Sequence, residues 1–428
     1  TVFKAQARML PPVAFVSAFL NNTPVVVIFA PIIKRWAEAV RLPATKFLIP
    51  LSYVTILGGI CTLIGTSTNL VVHGMILEAG FEGFSMFELG KVGIFIAIAG
   101  IIYIFLFSKR LLPDARPDTA VPDEEVEEGE KLHRVEAVLG ARFPGINKKL
   151  KDFNFQRHYG AEVKEIKTRN GQRFVTNLDD VVLHEGDTLV VMADDTFIPT
   201  WGESSVFVLL TNGNEPDTSG KKKRWFALLL LVLMIVGATV GELPVTKEMF
   251  PDIKLDMFFF VSITTIIMAW TNLFPARKYT KYISWDILIT IACAFAISKA
   301  MVNSGVADCV AGFIIGLSDD YGPHVLLAIL FVITNLFTEL ITNNAAAALA
   351  FPLALSISAQ LGVSPTPFFV VICMAASASF STPIGYQTNL IVQGIGNYKF
   401  TDFVRIGLPL NIITFLISVI LIPLIWNF

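Results

Sequence analysis

Long apolar runs separated by short polar loops dominate the chain outside one central region. A membrane-spanning helix needs about 20 mostly apolar residues. Runs of this kind predict spanning helices at Val92–Phe107, Trp225–Gly241, Met257–Phe274, Ile283–Val302, His324–Ile341, Pro367–Pro383 and Ile406–Trp426. The pattern therefore predicts an α-helical membrane protein that crosses the bilayer several times.

Three further apolar segments are interrupted by polar residues, glycine or proline: Val13–Ile33, Phe47–Ile76 and Thr334–Leu355. Unwound backbone at membrane depth is tolerated only inside protein or around a water-filled cavity, and it often marks the binding site of a transporter. Lysine and arginine lie on both sides of Val13–Ile33, so this segment is predicted to enter and leave on the cytoplasmic face as a re-entrant hairpin. The acidic pair before Thr334–Leu355 predicts a second hairpin that opens outward.

The central region differs in charge from the rest of the chain. Hydrophobic residues make up 54% of the 428 residues, charged residues 16%, and the net charge is −2. Of the 33 basic and 35 acidic residues, 39 lie between Lys109 and Arg224, which predicts a soluble, cytoplasmic insert between two membrane blocks. The near-neutral net charge gives no indication of nucleic acid binding. The predicted divisions are a first membrane repeat at 1–108, an acidic linker at 109–131, the insert at 132–195, a linker at 196–224 and a second membrane repeat at 225–428.

Two polar motifs occur twice at nearly the same spacing. Ser17, followed by Asn21-Asn22-Thr23, corresponds to Thr338 followed by Thr342-Asn343-Asn344 at an offset of 321 residues. The segments Gly65–Gly74 and Gly385–Gly394 share the pattern G-x-x-T-N-L-[VI]-V-x-G at an offset of 320. Together with the opposite hairpin orientations, the common offset predicts inverted repeats.

The residue types in these motifs suit ion binding. Helix ends at a hairpin tip present free N–H groups that attract an anion and free carbonyl groups that can bind a cation. Asparagine and hydroxyl oxygens are neutral ligands suited to an alkali cation. Isolated serines and threonines in membrane helices more often bond to a neighbouring helix, but the paired clusters favour a functional site.

At these residues the sequence resembles the divalent-anion:sodium symporter family of the ion-transporter superfamily. The resemblance implies one sodium ion at Ser17, Asn21, Asn22 and Gly65, and a second at Thr338, Ile341, Asn343 and Gly385. It implies an anion between the hairpin tips, with these substrate-binding residues: Asn22, Thr23, Thr66, Asn343, Asn344 and Tyr386. Sodium is then the coupling ion, and the parent protein is expected to be a homodimer in the bacterial inner membrane.

Two departures from the family pattern bear on the substrate. Asn344 replaces a threonine, and Tyr386 replaces a small hydroxyl residue, so the site is expected to differ from that of a plain dicarboxylate carrier. The presence of an insert that resembles a regulatory domain favours sulfate as the substrate by resemblance, and a dicarboxylate is the next choice.

The insert resembles a TrkA-C (RCK-C) regulatory domain, which implies a small-molecule ligand. Its predicted elements are a strand at Val135–Leu139, a helix at Asn147–Phe155, strands at Ala161–Lys167 and Arg173–Val175, and a final segment at Val181–Met192 with a Glu-Gly-Asp turn.

Other functions remain open. A proton-coupled antiporter or arsenite-type permease of the same superfamily would use intramembrane carboxylates, for which Asp286, Glu339 and Asp308 are the candidates. A regulated potassium channel is favoured only by Thr382-Pro-Ile-Gly-Tyr386, which resembles a selectivity filter but occurs once. A sensor or scaffold would not need two polar hairpins, and no nucleophile–base pair indicates an enzyme.

The two repeats differ in length before their tips. The late repeat begins near Trp225 and reaches its tip at Asn343, whereas the early tip, Asn22, follows only 21 residues. We therefore expect a counterpart of Trp225–Tyr321 to precede Thr1 in a longer parent protein.

Overall fold

The structure is a computed structural model. It describes residues 2–114, 133–140, 142–168, 172–194, 197–201, 206–211, 221–241, 257–271, 285–316 and 322–428, with the single residues 246, 249, 255 and 273. Within these ranges the α-helices are α1 (Val2–Ser17), α2 (Asn22–Ala39), α3 (Leu48–Gly59), α4 (Ser67–Glu78), α5 (Gly90–Leu111), α6 (Phe155–Tyr159), α7 (Phe197–Trp201), α8 (Lys221–Gly241), α9 (Met257–Trp270), α10 (Trp285–Asn303), α11 (Val306–Gly316), α12 (Gly322–Leu340), α13 (Asn343–Leu361), α14 (Thr366–Ser377), α15 (Gln387–Gly396) and α16 (Phe400–Ile425). The strands are β1 (His133–Leu139), β2 (Glu162–Lys167), β3 (Arg173–Phe174), β4 (Thr188–Ala193) and β5 (Phe207–Thr211).

Several helices have the length and the apolar composition of membrane-spanning helices. Among the described residues, α5, α12, α13 and α16 are long and apolar enough to cross a bilayer. The helices α10 and α11 form a pair bent by 71° that could make a fifth span. Large apolar side chains such as Phe258 on α9 and Leu424 on α16 are exposed, as expected for surfaces that face lipid.

The chain unwinds at the predicted positions. Four residues separate α1 from α2, and residues 60–66 separate α3 from α4. Two residues separate α12 from α13, and residues 378–386 separate α14 from α15. The helix within the predicted span Pro367–Pro383 is therefore shorter than predicted, because the chain unwinds after α14. The Asn389 side chain donates to the carbonyl oxygens of Ser379 and Thr382, which stabilises the unwound segment in place of helical hydrogen bonds.

The same packing arrangement occurs in the two halves of the membrane part. Helix α3 packs against α1, α2 and α5, and α14 packs in the same way against α12, α13 and α16. Contacts between the halves correspond too, because α2 packs on α15 and α13 packs on α4. The helices that follow the unwound segments, α4 and α15, thus each pack on a helix of the other half.

The charged central region contains a five-stranded antiparallel sheet in the order β3-β2-β4-β1-β5. Aromatic residues including Phe143, Phe155 and Tyr159 form a hydrophobic core beneath it, separate from the membrane core. Strand β5 pairs with β1 and lies beyond the predicted boundary at residue 195.

The helix predicted at Asn147–Phe155 does not form as one element. Asn147 has a φ of +62°, and Lys149 forms an antiparallel bridge with Val182, so this backbone bonds to a neighbouring segment. Helix α6 begins only at Phe155, where the Asn154 side chain accepts from the N–H of Arg157 as its N-cap. The acidic stretch Asp123–Glu130 lies outside the described residues.

Candidate functional site

The turn between α1 and α2, which was predicted as the first hairpin tip, places its polar residues in contact. Ser17, at the end of α1, donates a 2.7 Å hydrogen bond to the Oδ1 atom of Asn22, the first residue of α2, and both side chains are fully buried. A Cβ atom on Gly65 would overlap the carbonyl oxygen of Gly59 and lie 2.9 Å from that of Ala18. The absence of a side chain at Gly65 therefore allows carbonyl groups to approach this tip.

The second tip has the same close approach at its glycine, but its hydroxyl bonds to a backbone carbonyl and not to the asparagine. Thr338, near the end of α12, is fully buried and donates to the carbonyl oxygen of Ala376 at 2.6 Å. A Cβ atom on Gly385 would overlap the carbonyl oxygen of Thr338 and the hydroxyl of Ser379. Asn343, the first residue of α13, is 9% exposed.

Three hydrogen bonds of the first unwound segment have a counterpart in the second. The Thr62 hydroxyl donates to the Ala18 carbonyl and accepts from the N–H of Gly65 at 3.1 Å. In the second half the Thr382 hydroxyl donates to the Glu339 carbonyl at 2.9 Å and accepts from the N–H of Gly385 at 3.4 Å. Asn69 donates to the carbonyl of Thr62, as Asn389 does to that of Thr382.

Sequence reasoning did not identify Thr62 and Thr382 as part of the site. Each lies three residues before the glycine of the repeated motif, so extending the comparison toward the N-terminus would have found them. Their hydroxyls tie each unwound segment to the hairpin tip of the same half.

The two halves meet at Tyr386 and Thr66, which occupy equivalent positions in the repeated motif. The backbone of both is extended, and each precedes a helix as its N-cap residue. Their hydroxyl oxygens lie 3.0 Å apart, and Asn22 Nδ2 donates to the Tyr386 hydroxyl at 2.5 Å. Residues from the first tip and from both unwound segments therefore converge on one point.

Further hydrogen bonds beside Tyr386 and Thr66 also join the two halves. Thr23 donates to Gln387 Oε1 at 3.3 Å, while Ser67 and Thr68 donate to Asn344 Oδ1 at 3.3 Å and 3.2 Å. Four helices begin at or next to these residues: α2, α4, α13 and α15. Because the N-terminal N–H groups of a helix attract negative charge, their convergence favours binding of an anion.

Two of the predicted ligands lie apart from these contacts in the described structure. The Asn21 side chain accepts from the N–H of Thr23 at 3.4 Å, and the Ile341 side chain is 36% exposed. For Ile341 the predicted ligand was the backbone carbonyl and not the side chain. The next residue, Thr342, caps α13 by accepting from the N–H of Ala345.

A carboxylate lies beside the second tip. Glu339 Oε1 accepts from the N–H of Ser381 at 2.8 Å and from Asn411 Nδ2 at 2.7 Å. The other oxygen, Oε2, is buried and has no hydrogen-bond partner among the described residues. Sequence reasoning considered Glu339 only as a candidate for proton coupling. The side chain of Asp286 lies outside the described residues, and the third candidate, Asp308, accepts from Ser356 at 2.5 Å on an exposed helix face.

Comparison with known proteins identifies transporters. The model of a citrate transporter family matches residues 5–359 and, separately, residues 253–428. An uncharacterized transporter of Synechocystis is 30% identical over 96% of this chain and 81% of its own length. A probable sodium/sulfate cotransporter of Chlamydomonas reinhardtii is 34% identical over 65% of this chain and 31% of its own length. A sodium-dependent dicarboxylate transporter of Staphylococcus saprophyticus is 25% identical over 34% of this chain.

Proposed function

Since this chain belongs to the citrate transporter family, we propose that it is a secondary active transporter that couples uptake of a small divalent anion to sodium. The observation that carries the proposal is the convergence of four helix N-termini and a cluster of buried amide and hydroxyl groups around Tyr386 and Thr66. Such a cluster is polar without being charged, so a dianion and its sodium ions can enter together and leave again.

In this proposal each half of the molecule holds one sodium ion. Ser17, Asn21, Asn22 and the Gly65 carbonyl bind the first ion. Thr338, the Ile341 carbonyl, Asn343 and the Gly385 carbonyl bind the second. The buried Ser17–Asn22 pair and the close carbonyl approach at both glycines support this assignment. The corresponding packing of the two halves supports an inverted repeat, whose relative motion would give alternating access.

The anion would lie between the tips. The proposed ligands are Asn22, Thr23, Thr66, Asn343, Asn344 and Tyr386. Sulfate is the favoured substrate. The relative named as a probable sodium/sulfate cotransporter matches 65% of this chain, whereas the relative named as a dicarboxylate transporter matches 34%. The bilayer would be a bacterial inner membrane, with the chain as part of a homodimer.

The insert would regulate transport from the cytoplasm as a TrkA-C-like domain that binds a small molecule. Its separate hydrophobic core and its contacts with α2 and α15 support a role of this kind.

An uptake experiment in proteoliposomes tests the main proposal. Labelled sulfate, succinate and phosphate are offered under an imposed sodium gradient, an imposed proton gradient or neither. The proposal requires uptake of at least one divalent anion that follows the sodium gradient. Uptake that follows only the proton gradient would contradict it.

Proton coupling is the second candidate, and the unpartnered oxygen of Glu339 favours it. A buried carboxylate can take up and release a proton, whereas amides and hydroxyls cannot readily do so. Replacing Glu339 by glutamine should abolish uptake driven by a proton gradient but leave sodium-driven uptake measurable. The two gradients therefore distinguish the two candidates.

A further inference from the structure

The inference concerns the Tyr386 side chain. The residue is 6% exposed, and its hydroxyl contacts Asn22 at the first tip and Thr66 in the first unwound segment. Tyr386 belongs to the second half of the molecule, but Asn22 and Thr66, which bond to the hydroxyl, belong to the first. The phenol therefore extends across the junction into the polar cluster of the opposite half.

The equivalent position in the first half holds Thr66, whose side chain is much smaller. If both positions held threonine, the space now filled by the aromatic ring would be open to a substrate. At this junction the second half therefore contributes an aromatic ring where the first half contributes only a threonine. A compact tetrahedral oxyanion needs less length than a dicarboxylate, whose two charged groups are separated by a carbon chain.

The hydroxyl of Tyr386 can also bind an anion directly. A phenol carries one O–H donor and two acceptor positions. Asn22 Nδ2 donates to the phenol oxygen at 2.5 Å, and either hydroxyl of the Tyr386–Thr66 pair can be the donor, so the phenol O–H can donate to Thr66 or to a substrate oxygen. Hydrogen bonds to a charged acceptor are stronger than those between neutral groups, so an arriving dianion would outcompete Thr66 for this proton.

We propose that Tyr386 is the specificity-determining residue of this site: its hydroxyl binds a compact tetrahedral dianion of the sulfate class, and its ring excludes longer dicarboxylates. This inference rests on the proposed function and deepens it. Thr66 completes the selection by holding the phenol between the tips when no anion is bound.

Equilibrium binding to the purified full chain in detergent tests this selectivity. Labelled sulfate is displaced by unlabelled selenate or by unlabelled succinate, in sodium chloride and in choline chloride. For the unaltered protein we expect displacement by selenate in sodium, and at least tenfold weaker displacement by succinate.

Two substitutions separate the roles of the hydroxyl and the ring. Tyr386→Phe removes the hydroxyl alone and should weaken sulfate binding about tenfold to a hundredfold, with succinate still excluded. Tyr386→Thr reproduces the residue of the first half and should allow succinate to displace sulfate. Tyr103→Phe is the matched control, because its buried hydroxyl donates to the Ile406 carbonyl at 3.0 Å away from the tips. Binding to this control should be unchanged.

The outcomes distinguish this inference from the proposed function. Equal displacement by succinate and selenate in the unaltered protein would refute the inference alone. So would Tyr386→Phe binding sulfate as the unaltered protein does, or a folded Tyr386→Thr that still excludes succinate. If Tyr386→Thr does not fold, sulfate binding to Tyr386→Phe and displacement from the unaltered protein still test the inference. If the unaltered protein binds no divalent anion in the presence of sodium, the proposed function fails and the inference fails with it.

Discussion

At the scale of single residues, the site depends on a few buried polar atoms that lack charge. Asn22 accepts from Ser17 through one amide atom and donates to Tyr386 through the other. An amide in this position links the predicted cation site to the predicted anion site. Its equivalent in the second half is Asn343.

Replacing either asparagine by alanine should abolish sodium-coupled uptake while the protein still inserts into the membrane. The physical reason is that alanine removes both the oxygen ligand and the donor to the anion. Sodium-dependent uptake and the yield of folded protein are the measurements. Asn303→Ala at the exposed end of α10 is a control with the same change in chemistry. Normal coupled uptake by both Asn22→Ala and Asn343→Ala would remove the site assignment.

Gly65 and Gly385 provide a second test at the same scale. A methyl group at Gly65 overlaps the Gly59 carbonyl, and one at Gly385 overlaps the Thr338 carbonyl. Each glycine-to-alanine change should therefore lower stability by about 1–3 kcal/mol and weaken the dependence of uptake on sodium. Thermal unfolding in detergent, with and without sodium, measures the stability and its response to the ion. Uptake into proteoliposomes with and without a sodium gradient measures the sodium dependence of transport.

Gly316 is the matched position for these substitutions, because a Cβ atom there would meet nothing within 4 Å. Gly316→Ala at the end of α11 should leave the unfolding temperature and its response to sodium unchanged. If Gly65→Ala behaved like Gly316→Ala, the close carbonyl approach would not be important for the ion.

At the scale of elements, the sheet of the insert packs on α2, which begins at the first tip, and on α15, which begins after the second unwound segment. Lys34 on α2 lies 3.5 Å from Glu136 on β1, and Lys167 on β2 lies 3.4 Å from the same carboxylate. On α15, a Cβ atom at Gly394 would lie 2.7 Å from the Thr188 hydroxyl of β4. The last glycine of the repeated motif therefore allows close packing of the insert, a role that the motif did not suggest.

Reversing the charge of Lys34 should loosen this contact. The side chains of Lys34 and Glu136 are only 13% and 19% exposed, so we expect a loss of about 1–2 kcal/mol, between the values for exposed and for buried ion pairs. Hydrogen exchange should become faster in β1 and α15 of Lys34→Glu, and Glu136→Lys in the same chain should partly restore protection. Asp180→Asn, which removes exposed ion pairs with Lys149 and Lys151, should not change exchange in α15.

The same contact should depend on pH. Burial alone would raise the pKa of Glu136, but the nearby Lys34, Lys167 and Arg134 outweigh it and hold the pKa below its usual value. A lowered pKa means that the carboxylate contributes stability above the pKa of the unfolded chain, about 4.3, and loses it as the pH falls through the folded value. Protection of β1 should therefore fall below about pH 4. The double variant Lys34→Met, Glu136→Gln should show a weaker pH dependence, and an unchanged profile would contradict the assignment.

At the scale of the whole molecule, the strand pairing extends beyond the predicted end of the insert. Residues 132–195 were the predicted insert, yet β5 at Phe207–Thr211 pairs with β1. Removing 132–195 would leave β5 without its partner strand and expose Phe207, which is buried in the aromatic core.

We therefore expect two deletions to behave differently. Replacing 132–211 by a flexible glycine–serine linker should give a membrane protein that still binds the anion, with an altered rate of transport. Replacing only 132–195 should lower the yield of folded protein, because apolar surface stays exposed. Size-exclusion profiles and sulfate binding measure the difference. A well-folded 132–211 deletion that binds no anion would show that the insert belongs to the binding site.

The sequence by itself determined the class of the protein, a helical membrane transporter, and indicated candidate residues for its site. Apolar length predicts membrane helices, and the shared offset predicts two related polar segments and two related breaks, because both properties depend only on positions along the chain. Strands β1, β2 and β3 of the insert could be predicted from their local sequence, whereas β5 was not predicted. The predicted helix at Asn147–Phe155 does not form as one element, since Lys149 bonds to Val182, which lies 33 positions further along the chain.

Only the tertiary structure decided which of these residues meet. Tyr386 and Asn22 are 364 positions apart, and nothing local places a phenol from one half against the amide of the other. The packing of α15 on α2 does so, and the same packing creates the surface on which β1 and β4 lie. Contacts between distant elements depend on the shapes of whole helix faces, which a linear pattern does not specify.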